Sequence, residues 1–449
     1  MKDLTTGSEG RLIFNFAAPM LLGNVFQQLF NIVDSIVVGN FIGKEALAAV
    51  GAAFPVLFIL ISLIIGLVMG TTVVIAQYFG AKDMVKVKLA IDTMYISTFI
   101  ASLILTILGF IICEPLLRLL KLPEELMQPT LQYLHILIAG MVLMFGYNGT
   151  SAALRGLGDS RTPLYFLIIA TVLNIILDLV FVAWLKTGIA GAAFATVISN
   201  GIAFMLGALY LNKTHKIINV KINSFKFDME IFRQSFRIGM PNGIQNTFVA
   251  LSVLALMGIV NLYGTNVIAA FSVAGRLDAI ATVPAMSFAQ AISAFTGQNI
   301  GASKYDRVKT GLASTLKMMT LVTVFTTAFI ILMGKYLISL FTSDHEVIRL
   351  GAQYLTIVSS FYILFTLMFI YGGVMRGAGD SMMPMLITLM SLWVIRIPFA
   401  WLISEQIGVT GIWWSIPASW LVGYILSYLY YKTGKWKKHA VVTTYVEEF

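Results

Sequence analysis

Charge is what this sequence lacks most: 11% of its 449 residues are Asp, Glu, Lys or Arg, against about 25% in an ordinary soluble domain. So few charges cannot coat a water-facing surface, and an integral membrane protein is expected. Cysteine is scarcer still. Cys113 stands alone, which excludes an intrachain disulfide and a multi-cysteine metal centre. The four histidines, His135, His215, His345 and His439, are scattered along the chain. Neither His-Glu-x-x-His, Gly-x-Ser-x-Gly nor a Walker sequence occurs, so a membrane protease and an ATP-driven pump both lack support. No enzyme activity and no cofactor are expected. The polar start (Lys2, Asp3, Glu9, Arg11) and the first apolar run, which has no small-residue cleavage pattern, argue against a cleavable signal peptide.

Hydrophobic residues make up 58% of the chain. They fall in runs near 20 residues or longer, the length that crosses a hydrocarbon core of ~30 Å. Twelve spans are read, centred near residues 26, 60, 100, 143, 173, 199, 250, 282, 322, 362, 393 and 420. The net charge of +9 raises the question of nucleic acid, but the charges sit in short loops between spans. Topology explains them better. One set of alternate loops, with both ends of the chain, carries about 21 Lys and Arg; the other carries Lys44, Arg118, Lys121, Lys186, Lys335 and Arg349. That bias places both termini in the cytoplasm, in a multi-pass protein of the cell (inner or plasma) membrane. Membrane lipid is an expected partner, nucleic acid is not, and a monomer is expected.

An internal repeat runs at an offset of 221 residues. Arg155-Gly156-Leu157-Gly158-Asp159-Ser160 with Pro163 recurs as Arg376-Gly377-Ala378-Gly379-Asp380-Ser381 with Pro384. The same register carries Asn40 and Gly43 onto Asn261 and Gly264, Gln77 and Gly80-Ala81 onto Gln298 and Gly301-Ala302, and Gln132-Tyr133-Leu134 onto Gln353-Tyr354-Leu355. Because six spans separate the copies, both enter from the same side, giving parallel repeats about an axis along the membrane normal. The fold class is therefore an all-α integral membrane protein of twelve transmembrane helices in two pseudo-symmetric six-helix bundles. The expected domains are an N-terminal lobe at 1–212, a linker at 213–231, a C-terminal lobe at 232–434 and a cytoplasmic tail at 435–449. Two bundles around a central cavity suit a transporter, although duplication by itself also occurs in channels and membrane enzymes.

The Arg-Gly-x-Gly-Asp loops look like phosphate cradles, but they lack a following Lys-Ser/Thr and recur at symmetric span ends. Tight turns between spans are the better reading. Polarity inside the spans is more telling. The first span carries Asn24, Gln27, Asn31 and Asp34 at spacings of three, four and three, on one helix face. Amides alone would serve as interhelical contacts; Asp34 tips the set toward a cavity wall. On the fifth span Asn174 and Asp178 lie one turn apart. An ionised Asp at mid-bilayer costs roughly 2.5–3.5 kcal/mol on insertion scales, so this face is expected to meet a wet cavity and to hold a cation or a proton. Thr196 on the sixth span adds a hydroxyl, which a membrane helix usually spends on its own carbonyl one turn back.

The second half keeps some of this polarity and loses the charge. Asp34 maps onto Ala255, Asp178 onto Phe399 and Asn174 onto Ile395, while Asn24 maps onto Gln245. The ionisable site is thus expected in the first half, with Gln27, Asn31 and Gln245 as candidate substrate-binding residues. Asp278 and Arg396 also lie at membrane depth, and a structural pairing of Asp278 with Arg396 or Arg276 is expected. The 22 methionines and 31 phenylalanines would suit a promiscuous apolar or cationic ligand, although most must simply pack.

The pattern resembles the multidrug and toxic compound extrusion (MATE) family. The resemblance is carried by Val33-Asp34-Ser35 with Gly39, by Gly297-Gln298-Asn299-Ile300-Gly301-Ala302 after the eighth span, by the duplicated Arg-Gly-x-Gly-Asp loops and by the Asn174-x-x-x-Asp178 helix. It covers about residues 10 to 435. It implies two six-helix lobes in a V shape and antiport of organic, often cationic, drugs against Na⁺ or H⁺. The family's cation site uses an Asp in the first span, an Asn and an Asp in the fifth and a Thr in the sixth, which fall on Asp34, Asn174, Asp178 and Thr196. One branch also uses acidic residues at the seventh and tenth spans, and this sequence has none there. The alternative is a lipid-linked precursor flippase of similar fold. That would need a cationic cavity for a pyrophosphate headgroup, where these N-terminal spans offer carboxylates and amides.

Overall fold

A computed structural model describes residues 2–214 and 225–442, except the side chains of Leu29, Asn31, Ile32 and Leu63. Residues 215–224 of the expected linker and 443–449 of the expected tail lie outside the described residues. The described chain is helical. In the first half run α1 (Glu9–Phe41), α2 (Lys44–Gly80), α3 (Met84–Leu119), α4 (Glu124–Ala139), α5 (Met141–Gly156), α6 (Arg161–Asp178) and α7 (Ile189–Thr214). In the second run α8 (Met229–Val260), α9 (Thr265–Gly301), α10 (Tyr305–Ser339), α11 (His345–Ser359), α12 (Tyr362–Gly377), α13 (Met382–Leu389), α14 (Ile397–Ile407) and α15 (Val409–Lys432). Wider π turns, Leu179–Trp184 and Met390–Arg396, continue α6 and join α13 to α14.

Among the described residues ten helices are long and apolar enough to cross a membrane; α4 with α5, and α11 with α12, add two more if each pair is one span. Both pairs bend, by 51° and 47°. The count reaches the expected twelve when each bent pair is one span. The copies also pack alike: α2 lies against α3, α4 and α5 as α9 lies against α10, α11 and α12, and α7 lies against α4, α5 and α6 as α15 lies against α11, α12 and α14. Turns repeat too. Gly43, Lys82 and Gly158 have φ of 116°, 59° and 82°, and their partners 221 residues on, Gly264, Ser303 and Gly379, have 90°, 58° and 94°. Left-handed backbone at Gly43 and Gly158 is what a residue without Cβ permits.

The outer faces follow the same register. Ile100, Leu103, Ile104 and Ile111 of α3 are exposed, as are Leu321, Val324, Phe325 and Leu332 of α10. Contiguous exposed apolar stripes on spanning helices are where lipid tails stand in for a protein core.

The chain divides into two compact units, Met1–Asp3 with Ala18–Gly243, and Leu4–Ala17 with Ile244–Phe449. The expected boundaries at 212 and 232 do not coincide with these, because the start of α1 packs with the second unit and the start of α8 with the first. Side chains explain both docking sites. In the second unit, Gln298 Oε1 accepts the Leu4 N–H at 2.9 Å, and Asn299 Nδ2 donates to Leu4 O at 3.1 Å. Arg307 donates to Asn299 Oδ1 and to Gly7 O and pairs with Glu9 at 2.9 Å. The Gly-Gln-Asn motif thus ends α9 as a clamp on the N-terminal segment. In the first unit, Gly66 of α2 meets Gly239 and Gly243 of α8 so closely that a Cβ on Gly66 would come 2.5 Å from the Gly243 nitrogen. Small residues let two backbones approach in this way.

The Arg-Gly-x-Gly-Asp segments are helix ends and caps, as read from sequence. Asp159 N–H returns to Leu154 O at 2.8 Å and Asp380 N–H to Met375 O at 3.0 Å, the wrapped ending that a left-handed glycine allows. Each Asp then starts the next helix. Asp159 Oδ1 accepts the N–H groups of Arg161 and Thr162, and Asp380 Oδ1 that of Met383. At the start of the expected tail Trp436 is buried, stacks on Tyr431 and donates to Tyr431 O at 2.9 Å.

Candidate functional site

The four residues expected to hold an ion are all buried in the first unit: Asp34 at 6%, Asn174 and Asp178 at 0% and Thr196 at 8% exposure. Asn174 and Asp178 reach one face because four residues make about one turn, and α6 packs that face toward α7, which brings Thr196. Asn174 Nδ2 lies 3.4 Å from Thr196 Oγ1.

An amide's two ends have the same shape, and hydrogen bonds decide between them. Turned over, Asn174 donates to Asp178 Oδ2 at 3.1 Å and accepts the Thr196 N–H at 3.3 Å. This orientation satisfies both ends. In the other, an amide oxygen faces a carboxylate oxygen, which requires a proton or a cation between them.

Among the described residues one oxygen of each carboxylate, Asp34 Oδ1 and Asp178 Oδ1, is buried without a hydrogen-bond partner. Asp34 and Asp178 lie within electrostatic reach of each other, and the buried Tyr133 of α4 lies within reach of both. Neither forms an ion pair with Lys or Arg among the described residues. A desolvated carboxylate pair without a cation is costly, so the arrangement calls for a bound cation or a proton. Carboxylate, amide and hydroxyl oxygens are the donors a hard cation accepts, so the residues present fit Na⁺ as well as H⁺. Sequence reasoning missed Tyr133. Its signal was the repeated Gln-Tyr-Leu, whose second copy sets Tyr354 beside Asp278 and Arg396.

The candidate substrate residues fare differently. Gln27 is exposed, Asn24 is half-buried, and the Asn31 side chain lies outside the described residues. Gln245 is buried in the second unit, where its Nε2 donates to Thr388 Oγ1 at 2.7 Å. The expected pairing of Asp278 does not close. No salt bridge joins it to Arg396 or Arg276 among the described residues; Arg276 is exposed, and Arg396 Nε donates to Ser419 Oγ at 3.2 Å. Arg396 still acts on Asp278 through space, and Tyr362 is its neighbour. The wide π turn before Arg396 ends against α15 and delivers the guanidinium to that helix's serines instead of to Asp278.

The profile of the MatE family matches the chain twice, at residues 19–180 and 241–402. The chain is 35% identical to the probable multidrug resistance protein YpnP of Bacillus subtilis, over 98% of this chain and 99% of that protein. It is 33% identical to the probable multidrug resistance protein YoeA of the same organism, over 95% and 94%. Among solved structures it is similar to a MATE protein crystallised in a bent conformation, with a TM-score of 0.91 at 26% identity over 98% of both chains.

Proposed function

The chain belongs to the MatE family, and from that premise we propose that it is an ion-coupled antiporter exporting organic, chiefly cationic, compounds in exchange for Na⁺ or H⁺. Multidrug efflux is supported by relatives that are named multidrug resistance proteins over nearly their whole length. Ion coupling is supported by one observation: two carboxylates buried in one compact unit, Asp34 and Asp178, each with an oxygen left without a hydrogen-bond partner among the described residues.

In this reading the outward-facing protein takes up an ion at Asp34 and Asp178, with Asn174 and Thr196 completing the oxygen set. Neutralising the pair removes the repulsion that acts on α1 and α6 and changes how α1 packs. Substrate affinity falls, and the ion leaves inward as the next substrate enters. Coupling of this kind requires that the ion bind the two conformations with different affinity, since equal binding shifts nothing.

The test is efflux of a fluorescent cationic drug from proteoliposomes with a Na⁺ gradient or a pH gradient imposed alone, comparing wild type with Asp178→Asn. One gradient is expected to drive efflux in wild type and not in the variant, which also identifies the ion. Efflux in wild type that ignores both gradients would remove the coupling mechanism.

A further inference from the structure

Arg376 ends α12 with its side chain folded inward. It is 5% exposed, and its guanidinium lies back along the helix, where a Cβ on Gly372 would sit 3.3 Å from one terminal nitrogen. Its Nε is buried without a hydrogen-bond partner among the described residues. Among the described residues no carboxylate forms an ion pair with it. Asp380, four residues on, is committed elsewhere: it caps Met383 and accepts the Tyr430 hydroxyl at 2.6 Å, with His439 at 3.8 Å.

The guanidinium borders a cavity within the second unit, shared with Gln245, Thr388, Ser427, Met368 and Gly372. Part of this wall is held rigid, since Gln245 donates to Thr388 and Thr388 donates to Pro384 O at 2.8 Å. The C-terminal carbonyls of α12 offset some of the charge but leave Nε without a partner among the described residues. A desolvated guanidinium with no counter-charge is unfavourable unless the cavity receives one. Its parallel N–H groups match the paired oxygens of a carboxylate or a phosphate.

We propose that this cavity in the second unit is an oxyanion site, in which Arg376 grips a carboxylate or phosphate group against a neutral polar wall of Gln245, Thr388 and Ser427. The site is separate from the Asp34–Asp178 set and does not depend on ion coupling there. It would let a transporter of cations accept zwitterionic or acidic compounds, or it would anchor a lipid phosphate; both sources present the same group to Arg376.

The test follows thermal unfolding of the purified full-length protein by tryptophan fluorescence. Wild type, Arg376→Gln and Arg376→Lys are titrated with sodium phosphate and sodium acetate, against sodium chloride at equal ionic strength. Phosphate raises stability non-specifically, without saturation and equally in every variant. The expected result is an additional, saturable rise in wild-type Tm, absent in Arg376→Gln and needing about tenfold more anion in Arg376→Lys. The melts are repeated in nanodiscs of phosphatidylcholine with and without phosphatidylglycerol. If lipid is the source, the Arg376-dependent rise comes with phosphatidylglycerol and free phosphate adds nothing further. Wild type that answers phosphate, acetate and phosphatidylglycerol no more than their controls overturns the proposal, and so does Arg376→Gln responding as wild type does. Should Arg376→Gln fail to fold, the wild-type titration and Arg376→Lys decide alone.

Discussion

The Asn174 amide stands 3.1 Å from Asp178 Oδ2, one turn away on the same helix. Its hydrogen bonds fix its orientation: the N–H points to the carboxylate and the oxygen accepts the Thr196 N–H at 3.3 Å. This contact ties α6 to α7 at the candidate site, and the predictions on Asp34, Asn174, Asp178 and Thr196 start from it.

Asp34→Asn and Asp178→Asn are each expected to cut gradient-driven efflux by more than about tenfold, a loss of ~1.4 kcal/mol or more, at unchanged yield and melting temperature. Both changes are nearly isosteric and replace a buried carboxylate that has an oxygen without a hydrogen-bond partner among the described residues. Efflux and thermal unfolding measured on the same preparations check this. Wild-type efflux in both variants would eliminate the site.

Thr196→Val and Asn174→Leu remove oxygens and leave the carboxylates in place. The concentration of coupling ion giving half-maximal efflux is expected to rise about tenfold in each, the cost of roughly one hydrogen bond to a charged group. Thr196→Ser should recover wild-type behaviour. An ion titration of initial efflux rates decides it, and an unaltered half-maximal concentration in Thr196→Val would take Thr196 out of the set.

Gly66→Leu and Gly239→Leu are expected to destabilise the protein by ~1–3 kcal/mol or to prevent folding, because overpacking a close helix contact cannot be relieved cheaply. Each new Cβ would fall 2.5 Å from backbone of the facing helix. Gly275→Ala, whose Cβ meets nothing within 4 Å, is the control. Monodispersity on size exclusion and melting temperature are the readouts.

Asn299→Ala breaks three contacts at once, to Leu4 O, Phe295 O and Arg307 Nε. A loss of about 1–3 kcal/mol is expected from the buried groups left unpaired. Limited proteolysis should then cut near the N-terminus faster than in wild type, while the rest of the chain stays protected. Equal protection would show that the clamp is not what holds this segment.

Much of the fold was legible because its determinants are one-dimensional. Span length and apolarity locate the helices, and the offset of 221 carries turns, bends and outward faces from one copy to the other, as Gly43 with Gly264 and Leu103 with Val324 illustrate. The candidate site residues were legible for a related reason: Asn174 and Asp178 are costly in lipid and lie one turn apart, so the pattern itself raises the question of what neutralises them.

The remainder depended on contacts between residues far apart in sequence. Nothing along the chain says that Leu4 and Gln298 meet, or that the start of α8 packs against α2; those depend on which backbones can approach, through glycine, and which amides are buried with a partner in reach. The Asp278–Arg396 salt bridge failed for the same reason, since the π turn delivers Arg396 to Ser419. Tyr133 beside the two carboxylates and the unpaired guanidinium of Arg376 were equally hidden. Periodicity tells which face a side chain leaves from, and only packing decides what it meets.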